Sequence, residues 1–169
     1  MKIVFIRHGE PDKTEVDKRG FIGQGRDMAP LTELGIKQAE EVSWNPLLEN
    51  CQIIVSSPYT RALQTAAIIS KNTGLDIKVE IDIHEFIPDK TFQIKGEEEN
   101  KILHKDFMRC LGEYPEGEVR KWETITEIIN RSKQVFILLN DFTCHEARLH
   151  NADGFNRMIA LGSIQRYAV

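Results

Sequence analysis

An α/β fold is what this sequence predicts, and three observations carry the prediction. A short β-forming run, Ile3 to Ile6, opens the chain and breaks off at Arg7-His8-Gly9. A second run, Gln52 to Val55, leads directly into a helical pattern that starts around Ser57-Pro58. A third, Ile77 to Ile83, follows the glycine at which that helix stops and ends at His84-Glu85. Runs this short, rich in β-branched residues, favour buried strands over helices. Helices between them give the α/β class.

In chain order, the first strand places a cation and an imidazole at its carboxyl end, where open α/β sheets hold ligands. Gly9 is expected to let the backbone turn sharply and to keep a side chain out of a ligand's way. Residues 10–30 read as a polar loop without sustained periodicity, long enough to suggest function. Its second half, Phe21 to Pro30, is expected either to fold back over a ligand at His8 or to be plain surface. Thr32 is a predicted N-cap for a helix running to about Val42. Leu31, Gly35, Ala39 and Val42 fall near one face of it, which suits close packing on a sheet.

After the second strand, Ser57 is a predicted N-cap and Pro58 a predicted first helical residue. That helix is expected to stop near Asn72-Thr73-Gly74. Its N-terminus is a ready anion site, and Arg61, about one turn in, is placed to reach the same anion or to pair with a surface carboxylate. Glu85, at the end of the third strand, is a candidate acid or a solvated side chain. Residues 88–117 are polar, with a predicted helix from Glu97 to about Leu111 and a turn at Tyr114-Pro115-Glu116-Gly117. The pattern Trp122, Ile125, Ile128, Ile129, Ser132, Val135, Phe136, Leu139 predicts a further helix, with Val135–Leu139 as an alternative strand. Residues 140–154 are polar, and residues 155–169 close the chain with Met158-Ile159-Ala160 and a final β-like Ser163–Val169. One domain over 1–169 is expected, with a cap-like excursion at about 86–117.

Bulk properties narrow the class. A net charge of −4 argues against a general nucleic-acid or membrane-surface binder. No apolar run approaches the ~20 residues of a membrane span, and no signal-peptide pattern is present. Cys51, Cys110 and Cys144, widely spaced and without a CxxC, read as reduced thiols of a cytoplasmic protein. Neither the five histidines nor the carboxylates show metal-ligand spacing, so no metal or cofactor is expected. Nothing in the sequence speaks to oligomeric state.

Together the strand-end and helix-start residues describe one kind of site. Two guanidinium groups, Arg7 and Arg61, match phosphate oxygens. Their charge disfavours imidazolium at His8 and leaves a lone pair for attack on phosphorus. Glu85 is the candidate proton donor to the leaving oxygen. A small phosphorylated substrate is the expected partner.

Three segments resemble the histidine phosphatase superfamily, the phosphoglycerate-mutase-like branch 1. They are Arg7-His8-Gly9-Glu10, the stretch Gln24 to Gly35 with Pro30-Leu31-Thr32, and Ser56-Ser57-Pro58-Tyr59-Thr60-Arg61 continuing to Ala66. They match in order and spacing over roughly the first ninety residues. The resemblance implies a three-layer α/β/α sandwich with a mostly parallel central sheet, and a cap after Glu85. It implies His8 as phosphohistidine nucleophile, Arg7 and Arg61 as phosphoryl ligands, and Glu85 as proton donor. The short length resembles a phosphatase more than a glycolytic mutase. The family's second histidine, normally in a His-Gly after an apolar strand, is not in its usual motif. His150 is the first candidate and His145 the second, with loss of the residue as the third reading. Arg148 and Arg157 are further candidate phosphate ligands. The alternatives are a catalytically impaired phospho-ligand-binding or regulatory member, or a phosphoglycerate mutase.

Overall fold

The structure, a computed structural model, describes residues 2–135 and 157–161. Strand β1 is Lys2–Ile6, followed by the short helix α1, Thr14–Lys18, and a 3₁₀ turn at Gly23–Met28. Then come α2 (Glu33–Ser43), β2 (Ile53–Ser56), α3 (Thr60–Thr73) and β3 (Ile77–Val79). A 3₁₀ turn at Ile81–Ile83, helix α4 (Glu97–Arg109), helix α5 over residues 125–135 and strand β4 (Arg157–Leu161) complete the order. The sheet runs β1-β4-β2-β3 with every pairing parallel. Ile6 pairs with Leu161, Leu161 with Ser56, and Ser56 with Val79. The carboxyl ends of all four strands therefore share one edge, where a parallel sheet presents its ligand-binding loops.

Alternation along the strands builds two cores. Ile6 and Ile54 pack with Ala66 and Ile69 of α3 and with Leu48 and Cys51, and Val4 and Ile77 add to this cluster. Val55 faces the other way, onto Val135 of α5, with Ile3, Ile53 and Ile83 around it. A sheet with apolar residues on both faces, each covered by helix, is the layered α/β arrangement the sequence predicts.

Helix α2 starts as expected, with Thr32 Oγ1 accepting from Gly35 N at 2.9 Å. Helix α3 stops as expected, with Gly74 left-handed at φ 75° and its N–H on the Ser70 carbonyl. On α3, Arg61, Ala62, Thr65, Ala66 and Ile69 form the buried stripe.

Several expectations need correction. Helix α3 begins at Thr60 with Tyr59 as its cap, not at Ser57-Pro58. Ser56 and Ser57 are buried in the exit from β2, and Ser57 Oγ lies 3.5 Å from Tyr59 N. The third strand ends at Val79, because β2 stops at Ser56 and offers Glu80 N its last carbonyl. The loop 10–30 contains α1 and a 3₁₀ turn. Trp122 lies ahead of α5: its indole is fully buried against α4, with Nε1 donating to Asp106 at 3.0 Å. A capping box starts α5 instead, with Glu127 N donating to Thr124 Oγ1 and Thr124 N donating to Glu127. Gly9 is needed for close approach rather than for a special turn. Its φ is not positive, and a Cβ there would stand 2.3 Å from the Gly35 carbonyl oxygen. Arg157 opens β4 opposite Lys2, at the edge away from His8, about 13 Å of strand from the shared carboxyl edge.

Candidate active site

His8 leaves the carboxyl end of β1 and is held from two sides. Its Nδ1 lies 2.7 Å from the Gly9 carbonyl oxygen, a group that only accepts, so Nδ1 carries the proton. Nε2 is then the unprotonated nitrogen, and it accepts from Arg61 Nε at 3.1 Å. The same peptide is pinned through Gly9 N, which donates to Thr65 Oγ1 at 3.1 Å, while Thr65 donates to the Arg61 carbonyl. Burial lowers the His8 pKa below the ordinary 6.5. The Gly9 carbonyl opposes the shift, and the Arg61 and Arg7 charges add to it. The geometry thus presents a neutral imidazole with its Nε2 lone pair facing a guanidinium.

Arg61, the second residue of α3, binds the site together. Its side chain is only 9% exposed. Nε reaches His8, Nη1 reaches Asp27 Oδ1 at 3.0 Å, and Nη2 reaches Glu85 Oε2 at 2.5 Å. The Tyr59 ring lies below the guanidinium, 4.8 Å from its carbon. Glu85 arrives from the segment after β3 through the 3₁₀ turn Ile81–Ile83. Asp27, in the 3₁₀ turn Gly23–Met28, is half-buried, and burial raises its pKa against the pull of Arg61. Two carboxylates on one guanidinium leave this corner with a net negative charge when both are ionised. An incoming phosphoryl group has to compete with them for Arg61.

Arg7 is the complement. It lines the same cavity, is exposed, and forms no ion pair among the described residues. The cavity measures about 320 Å³ and runs from His8, Arg7 and Arg61 to Phe86, Phe92 and His104. Its roof is the segment after Glu85. There Phe86, Phe107, Trp122 and Tyr114 pack as a chain of rings 4.5 to 5.2 Å apart. Among the described residues, no cluster of histidine, cysteine or carboxylate side chains is arranged to hold a metal ion. No described helix is long and apolar enough to cross a membrane.

Of the residues singled out in the sequence, Arg7, His8, Arg61 and Glu85 come together around this cavity. His150 and His145 lie outside the described residues. The strand between β1 and β2 is Arg157–Leu161, and the sequence directly after it is Gly162-Ser163-Ile164. Sequence reasoning missed Asp27, Tyr59 and His104. Asp27 and Tyr59 lie inside the quoted motif segments, a signal that was available. His104, on α4, has no local signature, and only the fold brings it to the cavity.

Comparisons with known proteins agree with this fold. The family model described as histidine phosphatase superfamily (branch 1) matches residues 3–145. The chain is 30% identical over 127 residues to a 2,3-bisphosphoglycerate-dependent phosphoglycerate mutase of Thermoplasma acidophilum, covering 74% of this chain and 61% of the relative. It is 28% identical over 133 residues to phosphoserine phosphatase 1 of Hydrogenobacter thermophilus, covering 79% and 61%. The chain thus spans about three fifths of the length of these curated relatives. Among solved structures, a mycobacterial glucosyl-3-phosphoglycerate phosphatase superposes with a TM-score of 0.64 at 24% identity, covering 94% of this chain and 71% of that one. With its RHG strand end, parallel sheet and matching family model, this chain belongs to branch 1 of the histidine phosphatase superfamily.

Proposed function

We propose that the protein is a metal-independent cytoplasmic phosphatase that hydrolyses a small phosphomonoester through a phosphohistidine on His8. One observation carries this reading: the His8 ring is fixed by its Nδ1 proton on the Gly9 carbonyl, which leaves Nε2 as a lone-pair nucleophile beside Arg61. Arg7 and Arg61 hold the phosphoryl oxygens and offset the charge that develops on them. The Nε2 lone pair attacks phosphorus, the bond to the leaving oxygen breaks, and protonated Glu85 gives that oxygen its proton. Water then attacks phosphorus with Glu85 taking its proton, the N–P bond breaks, and inorganic phosphate leaves with His8 neutral again. Glu85 is released for this role when phosphoryl oxygens replace it on Arg61 Nη2.

A second reading, a phospho-ligand-binding protein without efficient turnover, draws on Gly162-Ser163, which directly follow β4 in place of a His-Gly. Turnover of p-nitrophenyl phosphate in EDTA separates the two. The phosphatase reading expects multiple turnovers, insensitive to chelator and abolished in His8→Ala. Phosphate or vanadate binding without turnover supports the binding protein, and undiminished turnover in His8→Ala contradicts both.

A further inference from the structure

Glu85 gives up Arg61 when a phosphoryl group binds. Its carboxylate accepts from Arg61 Nη2, the donor that the incoming oxygens take. The segment that carries Glu85 has no helix or strand between the 3₁₀ turn Ile81–Ile83 and α4. Its backbone therefore needs other ties if the carboxyl is to stay at the cavity.

Two residues from a distant part of the chain hold that segment on both sides of Glu85. Arg131 of α5 donates from Nη1 to the Asp82 carbonyl at 2.6 Å. Glu123, just ahead of α5, accepts from Ile87 N at 3.2 Å through Oε2, and its own N–H donates to the Ile87 carbonyl at 2.9 Å. The two side chains are locked to each other, Nε on Oε1 at 2.6 Å and Nη2 on Oε2 at 3.0 Å. Both are mostly out of solvent, Arg131 14% and Glu123 7% exposed. Between the two anchors the His84 ring stacks on Tyr59, and its Nδ1 lies 2.6 Å from the Glu85 carbonyl oxygen.

Packing alone does not require this pair, because apolar residues of similar volume are often as stable as a buried ion pair. What they lack is direction. A guanidinium–carboxylate fork has a fixed geometry. Here the remaining Arg131 nitrogen and the shared Glu123 oxygen end on backbone groups that flank Glu85.

We propose that Glu123 and Arg131 are positioning residues for proton transfer: their fork fixes the backbone on both sides of Glu85 and keeps its carboxyl at the cavity after the phosphoryl group has taken Arg61. The proposal rests on the phosphatase reading and adds the device that holds its acid.

Leaving groups test it through kcat/KM. The p-nitrophenolate of p-nitrophenyl phosphate departs without a proton, whereas the phenolate of phenyl phosphate departs far better with one. Glu85→Gln sets the pattern of a lost acid, an expected fall of about 10²-fold on phenyl phosphate and less than about threefold on p-nitrophenyl phosphate. Arg131→Lys keeps a charge beside Glu123 but cannot serve three acceptors as a planar fork. It is expected to show the same pattern more weakly, about tenfold on phenyl phosphate against less than about twofold on p-nitrophenyl phosphate. No fall, or an equal fall on both substrates, overturns the clamp. Should Arg131→Lys not fold, the double variant Glu123→Leu, Arg131→Met decides, since it replaces the fork by apolar contacts. A deficit confined to phenyl phosphate then supports the clamp. A wild-type ratio of the two substrates overturns it, and so does failure of both variants to fold, which makes the pair a structural bridge. No turnover in the wild type, or Glu85→Gln without the leaving-group pattern, overturns the acid of the phosphatase reading and the clamp together. A deficient Glu85→Gln beside a wild-type-like Arg131→Lys overturns the clamp alone.

Discussion

The floor and the roof of the cavity are built on different principles. The floor is a polar knot at the carboxyl edge of a parallel sheet. His8, Thr65, Arg61, Asp27 and Glu85 each touch another member of the set, and Gly9 is pressed against Gly35. The roof is an aromatic chain, Phe86, Phe107, Trp122 and Tyr114, carried by α4 and the turns around it. It joins the floor through contacts such as Gly23 N on the Ile94 carbonyl and Lys13 on Glu97. Reactive atoms need fixed geometry, and interlocked hydrogen bonds provide it. A surface that reads the rest of a substrate needs shape, which apolar packing provides. The difference assigns chemistry to the floor and selectivity to the roof.

That division has consequences that mutation can break. His8→Ala should reduce turnover by about 10³-fold or more, the scale of losing a nucleophile. Its thermal midpoint should stay close to wild type. Arg61→Ala should reduce turnover by about 10²- to 10³-fold. It should also reduce unfolding free energy by about 2 kcal/mol, because Asp27 and Glu85 lose the charge between them, as a denaturant titration would show. Arg61→Lys should recover most of the stability and little of the turnover, since an ammonium group cannot serve three partners at once. In the roof, Phe107→Ala should cost about 3 kcal/mol of stability by opening a cavity. Kinetically it should raise KM more than it reduces kcat. A roof variant that removes kcat and spares KM would contradict the division.

Smaller effects follow from protonation. The His8 pKa is depressed, so the native state binds fewer protons than the unfolded one as pH falls through 6.5. Stability should therefore drop over that window, and the slope should vanish in His8→Ala when thermal midpoints are compared across pH. The Asp27 pKa is raised, so its native form keeps a proton above 3.8 and loses that advantage as pH rises further. For catalysis, a depressed His8 keeps Nε2 available below pH 6.5, which places the acid limb of kcat/KM below that of free imidazole. Asp27→Asn should tighten phosphate binding at neutral pH by about fivefold, the effect of one nearby charge in a partly solvated site. Equal affinity in that variant would mean that Asp27 does not oppose the anion.

The floor was legible in the sequence because its residues follow from local grammar. Arg7-His8 ends a β-forming run, Thr32 caps α2, and Gly74 ends α3, each readable within a few neighbours. The start of α3 was misread because Ser57-Pro58 has good capping chemistry, yet the strand exit buries it first. Asp27 escaped notice because its role depends on a loop crossing to α3, a contact with no periodic signature. The roof was less legible still. Trp122 fits the helical period of α5 by coincidence, while its burial comes from Asp106 and Phe107 on α4. His104 reaches the cavity only through that packing.

The account's central claim is that the fixed His8 ring takes the phosphoryl group, and one measurement addresses it directly. The protein is mixed with excess p-nitrophenyl phosphate, quenched in alkali within the first turnovers, digested, and examined by mass spectrometry. The expected result is an alkali-stable, acid-labile phosphoryl group on the peptide bearing His8, appearing and decaying with turnover. Steady hydrolysis with His8 unmodified throughout would contradict the claim.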